Sequence, residues 1–240
     1  MFSSLWNAVL YRPLYNVLIF LVAVLPGQSV GLAIIVLTFL VKLVLYPLSG
    51  KSIRAQQAMR ELEPELRKIR ETHKDDKQLQ AKKTMELYKE RKVTPFSGCL
   101  PIVIQIPVII ALYWIFWKGL SIQPELLYGF VSAPATLDLH FLMFDLSAKS
   151  VVLAISAGFT QYLQTDISLG KQPLPPKSEP GKASFQEDFA RSMQLQMRYI
   201  FPVLISFFAY SLPSAVALYW TTSNILGIGQ EFLLRRKRST

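Results

Sequence analysis

Five apolar runs of roughly bilayer-crossing length, separated by strongly charged stretches, constrain this chain more than any other feature. They cover 30–48, 100–117, 151–163 with its flanks, 195–212 and 215–234. At ~1.5 Å per residue, each makes about 27 Å of helix once the third is given its flanking turns. A mean hydropathy of +0.31 with 51% hydrophobic residues sits badly with 26 Lys and Arg in one soluble domain. Segregated along the chain, the two populations read as an all-α multispanning membrane protein. A sixth run, 14–25, is shorter and follows an aromatic stretch with Trp6, Tyr11, Arg12, Pro13 and Tyr15. That composition predicts an N-terminal amphipathic or membrane-associated helix within 1–27.

Loop charges orient the spans. Residues 51–94 carry 13 Lys/Arg against 8 acids, and the chain closes on Arg235-Arg236-Lys237-Arg238. The stretch 118–149 has only Lys118 and Lys149 against Glu125, Asp138 and Asp145. The positive-inside rule therefore puts 51–94, 166–198 and a basic C-terminal tail in the cytoplasm, with 118–149 outside. Five core spans satisfy all of these placements. The chain divides into the N-terminal helix (1–27), core span one (28–50), a cytoplasmic hairpin (51–94) and core spans two to five (95–240), the last containing a linker at 166–194.

In the hairpin, Gly is absent and acids interleave with bases, as on a solvated helix pair. The turn is expected at His73–Asp76, between helices of about 20 and 16 residues, with a kink at Pro64. A proline-rich linker at 170–182 precedes Ser184-Phe-Gln-Glu187, which reads as a capping box.

Polar residues inside the runs mark candidate sites. Lys42 has apolar neighbours on both sides, and a mid-membrane Lys costs roughly 2.5–3.5 kcal/mol on insertion scales. Two readings stand open: it faces a polar cavity, or it snorkels to the headgroups about 9 Å away, near Leu48. Thr38 precedes it by one turn. Ser156, Thr160 and Gln164 repeat every four residues, and Trp220, Ser223, Asn224 and Gly227 share a face. Three polar stripes suggest a shared hydrated cavity. Close helix packing through small residues accounts for Ser156, Ser223 and Gly227, but poorly for Lys42, Gln164 and Asn224. Cys99 stands alone, the two histidines lie far apart, and no phosphate-binding loop or nucleophile–base pair occurs. The expectation is a protein that is no enzyme and holds no cofactor or metal.

Three strings then resemble the YidC family of membrane protein insertases, over about residues 5 to 235. LTFLVKLVLYPLSGKSIRAQQAM, with Lys42 and Pro47, is similar to the family's first core span. GCLPIVIQIPVIIALYWIF carries Pro101, Gln105, Pro107 and Tyr113. FPVLISFFAYSLPSAVALYWTTSNILGIGQ resembles the last helical pair around Pro213. The resemblance implies five core helices around a hydrophilic groove that inserts and helps fold nascent membrane proteins without ATP. Its groove normally carries an Arg where Lys42 stands. The substitution keeps the charge and loses the bidentate fork. Thr38, Gln164 and Trp220 fall on groove-like positions. The implied substrates are nascent membrane proteins with acidic tails, which would leave for lipid past the last and third spans. Membrane lipids, the Sec translocon, and the ribosome or signal-recognition machinery at 51–94 and the tail are the further implied partners. The implied location is the plasma membrane of a bacterium, since no transit peptide is visible.

Two rival classes draw on the same residues. A small transporter or channel would use Lys42 as an anion site. A membrane-embedded lipid transferase would need a catalytic group such as Asp138, His140 or Asp145.

Overall fold

The computed structural model describes residues 5–73, 76–93, 100–117, 122–170 and 192–236. The centre of the hairpin turn, Cys99, Lys118, the linker from 171, the capping box at 184–187 and the last four residues lie outside this set. Only the backbone of Pro101 falls within it. Among the described residues the fold is all-α, save for one pair of two-residue strands.

Helix α1 runs from Asn7 to Val24, starting with a π-helical turn over Asn7–Tyr11. At 18 residues it is long and apolar enough to cross a membrane, half again as long as the twelve-residue run in the sequence. Its buried face (Tyr11, Tyr15, Leu18, Ile19, Val22) recurs every three or four residues. The chain reverses at Pro26–Gln28, where Gly27 takes φ 70°, a left-handed value that costs glycine little. Ser29 caps α2, Val30–Val44, by accepting from the Leu32 amide at 3.4 Å.

Here the structure departs from a span ending at Leu48. Helix α2 stops at Val44, and α3, Tyr46–Glu61, starts after a one-residue break at Leu45. The chain turns by 66° there. Pro47 is the cause: it lacks the amide that would bond the Leu43 carbonyl, and its ring crowds that oxygen. Pro64 acts in the same way. The first hairpin helix is broken at Leu62, and α4, Glu63–Thr72, carries the proline in its first turn. Asp76 then caps α5, Lys77–Glu90, through the Leu79 amide at 2.9 Å. Leu62, Leu66 and Leu87 bury a small core between these helices, and Arg91 spans them to Glu65 at 2.7 Å.

Helix α6, Leu100–Trp117, contains Pro107. Strands β1, His140–Phe141, and β2, Phe144–Asp145, form a tight antiparallel hairpin. Ser150 caps α7, Val151–Leu169. Helix α8, residues 192–211, has a π-turn at Gln196–Ile200 and leads through Pro213 into α9, Ser214–Arg236. Helix α9 is central, packing on α7, α2 and α6, while α8 packs on the other side of α7. One continuous apolar core joins α1, α2, α6, α7 and α9, with Leu18, Ile34, Leu112, Ala157 and Val216 fully enclosed. Phe39, Leu43, Ile155, Phe159, Phe207 and Phe208 instead face outward, an apolar exterior larger than water tolerates and suited to lipid.

Candidate functional site

The polar residues of the apolar helices gather mainly along the α7–α9 seam. Asn224 is buried, and its side-chain amide donates to the Thr160 hydroxyl at 3.1 Å and the Ala157 carbonyl at 3.3 Å. Gln164 lies against Gly227, where a Cβ would collide with its amide nitrogen. Glycine there permits the close approach of the two helices. The Trp220 indole donates to Gln161 at 3.2 Å, and Gln161 donates to Thr165 at 3.2 Å. Across α9, Gln105 of α6 donates to the hydroxyl of the enclosed Tyr219. The partners in these bonds are uncharged, and the bonds hold α6, α7 and α9 against one another.

The remaining stripe residues occupy different surroundings. Thr38 has 0% exposure, and its hydroxyl donates back to the Ile34 carbonyl at 2.6 Å. Ser156 donates to the Val152 carbonyl at 2.9 Å. Both hydroxyls satisfy themselves within their own helix, so Thr38 faces protein rather than hydrated space. Ser223 is buried on α9. Lys42 sits in the last turn of α2, half-buried, and among the described residues no carboxylate pairs with it. Because α2 ends at Val44, Lys42 stands near the hairpin end of the bundle and not at mid-helix. Tyr113 meets Trp114 edge to face and Trp117 at a tilt at the far end of α6. Pro213 sits in the α8–α9 turn and accepts from the Val216 amide at 2.9 Å.

Sequence reasoning missed an ionic cluster at the hairpin end. Glu231 of α9 is buried, and it accepts from Ser168 at 2.5 Å and Arg235 at 2.6 Å. Arg60 of α3 lies 3.7 Å away and also donates to the Ile167 carbonyl at 3.1 Å. Burial pushes the Arg60 guanidinium down from its ordinary value, and Glu231 opposes that shift. Arg198 of α8 bridges Asp166 at 3.3 Å and the Gly170 carbonyl at 2.6 Å. Acidic Glu231 next to an apolar run, four residues before Arg235, was the available signal. At the opposite end, Arg12 and Asn16 of α1 donate to the Leu126 carbonyl, both at 2.9 Å.

Residues 21–240 match a family model described as 60Kd inner membrane protein. The chain belongs to this family, the YidC family. Proteins named membrane protein insertase YidC from Francisella tularensis subsp. novicida (strain U112) and subsp. tularensis (strain SCHU S4 / Schu 4) are each 39% identical over 208 residues. The alignment covers 86% of this chain and 32% of each relative, so the chain spans about a third of their length. The YidC-family match includes α2 to α9 with Lys42, the seam and the ionic cluster. It starts inside α1, leaving Arg12 and Asn16 before it.

Proposed function

We propose that this chain is a membrane protein insertase that admits polar segments of nascent membrane proteins at its hairpin end and releases their apolar segments into lipid. Lys42 carries the reading, together with the family and the names of its relatives. It is a half-buried cation near the end of α2 with no paired carboxylate among the described residues. A buried charge without a counter-charge is costly, and an acidic substrate tail supplies one. Helices α2, α6, α7, α8 and α9 are the five core spans around a hydrophilic groove, with the hairpin and the C-terminus cytoplasmic. Helix α1 lies along the outer face. Arg12 and Asn16 bond Leu126, and the Pro26–Gln28 turn bonds Thr136 and Asp138, so the outer loop holds both ends.

In this mechanism the hairpin 51–94, with a net charge of 13 − 8 = +5, meets the incoming chain, and the ribosome, signal-recognition machinery and Sec translocon are its proposed partners. A polar tail enters beside Lys42, where charge and water replace part of its lost hydration. Transfer of the apolar segment into lipid then drives the step without ATP. The half-buried Thr160, Gln164 and Trp220 line the groove side of α7 and α9, with the buried Asn224 holding the two helices together behind them.

The test is reconstitution of the full chain in liposomes with a single-spanning substrate bearing an acidic N-terminal tail, scoring protease protection of that tail. Insertion by wild type and Lys42→Arg but not by Lys42→Ala is expected. Equal insertion by all three would remove the charge role and keep the insertase. No insertion by wild type, with uptake of a permeant anion instead, would overturn the reading.

A further inference from the structure

We propose that the tip of the β1–β2 hairpin, Leu142–Met143, is an anchor that inserts into the outer-leaflet interface of the bilayer. Leu142 and Met143 are 84% and 85% exposed, the highest exposures among the large apolar residues described. They form a two-residue turn in which Leu142 holds φ 55°. Turns of this kind select glycine, asparagine or aspartate, because a branched side chain at positive φ is strained. An exposed, strained leucine followed by an exposed methionine works against solubility and against local preference alike. Both costs are recovered where the surroundings are apolar.

The height of the tip is fixed by its base. Phe141 packs onto Gly31, the second residue of α2, so closely that a Cβ there would collide with the ring. Asp138 exchanges backbone bonds with Gln28 and Val30 at 3.1 and 2.9 Å. Beyond the turn, the Ala215 amide donates to Leu146 at 3.1 Å and the Ser214 hydroxyl to the Asp145 carbonyl at 2.7 Å. The base is thus bolted between the first turns of α2 and α9. A few residues past β2, Val151 and Val152 are exposed on the first turn of α7. Lys149 over the Tyr210 ring at 5.7 Å marks a cation–aromatic pair of the kind found at a membrane surface. At ~3.3 Å per residue, two residues carry the tip at most about 7 Å from Phe141. An interface is roughly 5–8 Å deep on each side of the hydrocarbon. A tip held that close to the first turns of α2 and α9 is within reach of that layer. Outer-leaflet lipid is therefore the occupant.

This inference needs only that the bundle spans a bilayer, not that it inserts proteins, so its failure leaves the insertase reading untouched. In a Cys99→Ser background, nitroxide labels on Leu142→Cys and Met143→Cys are compared in lipid vesicles with Val152→Cys, facing lipid, and Ser132→Cys, in an exposed stretch of the outer loop. The readout is collision with oxygen against collision with a water-soluble nickel chelate. The expected oxygen-to-nickel ratio at 142 and 143 approaches that at 152 and exceeds that at 132 several-fold. A ratio matching 132 overturns the proposal, and shielding that appears only in native membranes assigns the tip to a protein partner instead. Quenching of a bimane label at 143 by lipids brominated near the headgroup gives a second reading on the same variant. Absence of quenching there also overturns the anchor.

Discussion

Arg60 on the first hairpin helix and Glu231 on the last core helix lie 3.7 Å apart, 171 residues distant in sequence, with the carboxylate almost wholly buried. Arg235 and Ser168 complete the shell around Glu231. The pair ties the α3 end of the hairpin to the α7–α9 seam. Removing the acid leaves Arg60 half-buried beside another cation, whereas removing Arg60 leaves Glu231 with Arg235.

Glu231→Ala should therefore cost about 3 kcal/mol, and Arg60→Ala clearly less. Unfolding of the detergent-purified protein measures both. The double variant should be less damaging than the sum of the singles. Additive losses would show that the two groups do not sense each other.

Two glycines separate packing from helix propensity. At Gly158, a Cβ would collide with the Ser206 hydroxyl and lie 2.7 Å from the Pro202 carbonyl. Gly158→Ala should cost about 2 kcal/mol by forcing α7 from α8. At Gly229 nothing lies within 4 Å of such a Cβ, so Gly229→Ala should be neutral or stabilising by up to about 1 kcal/mol. Thermal unfolding of the two variants side by side decides the matter.

Asn224→Leu removes the two bonds that Asn224 makes to α7 and leaves the Thr160 hydroxyl its bond within α7. The expected loss is about 1–2 kcal/mol. Disulfide trapping across the seam should show wider sampling of the α7–α9 distance in the variant. An unchanged cross-linking profile would mean that apolar contacts alone set the seam.

Asp145 makes the outer loop sensitive to acid. The Ser147 hydroxyl at 2.6 Å and amide at 2.9 Å hold its carboxyl below the usual aspartate range. Its folded value being depressed, its stabilising contribution is complete above the unfolded value and disappears as pH falls through the folded one. Hydrogen exchange at 144–148 should accelerate as pH falls below about 4, the unfolded aspartate value, after correction for intrinsic rates. Asp145→Asn should flatten that dependence.

The apolar helices were legible because lipid demands unbroken apolar runs, and composition carries that demand openly. Where each helix stops depends on finer chemistry. Reading core span one through Leu48 overlooked that Pro47 frees the Leu43 carbonyl and breaks the chain at Leu45. That displacement matters, since it moves Lys42 from mid-helix into a last turn. Helical spacing placed Thr160, Gln164 and Asn224 on faces that meet. It could not show that Thr38 and Ser156 bond the carbonyl one turn back, because a hydroxyl has this choice in any helix. The Arg60–Glu231 tie was out of reach because each member's partner lies more than a hundred residues away, and no local pattern records it.

The grip on α1 has one property that separates it from the side-chain contacts elsewhere. Arg12 and Asn16 donate to the main-chain oxygens of Leu126 and Leu127, and the Asn16 side-chain oxygen accepts from the Tyr128 amide at 2.7 Å. The gripping residues read peptide groups, which every amino acid supplies alike. On the loop side the hydrogen bonds fall on main-chain atoms, while the Leu126 and Leu127 side chains pack against the apolar core and the Tyr128 ring lies 4.9 Å from the Arg12 guanidinium. On the helix side it rests on Arg12, Asn16 and Tyr15, whose hydroxyl accepts from the Gln123 amide at 2.7 Å. Only the exposed loop positions can drift while α1 keeps its hold, because Leu126, Leu127, Val131 and Leu137 also belong to the apolar packing beneath them.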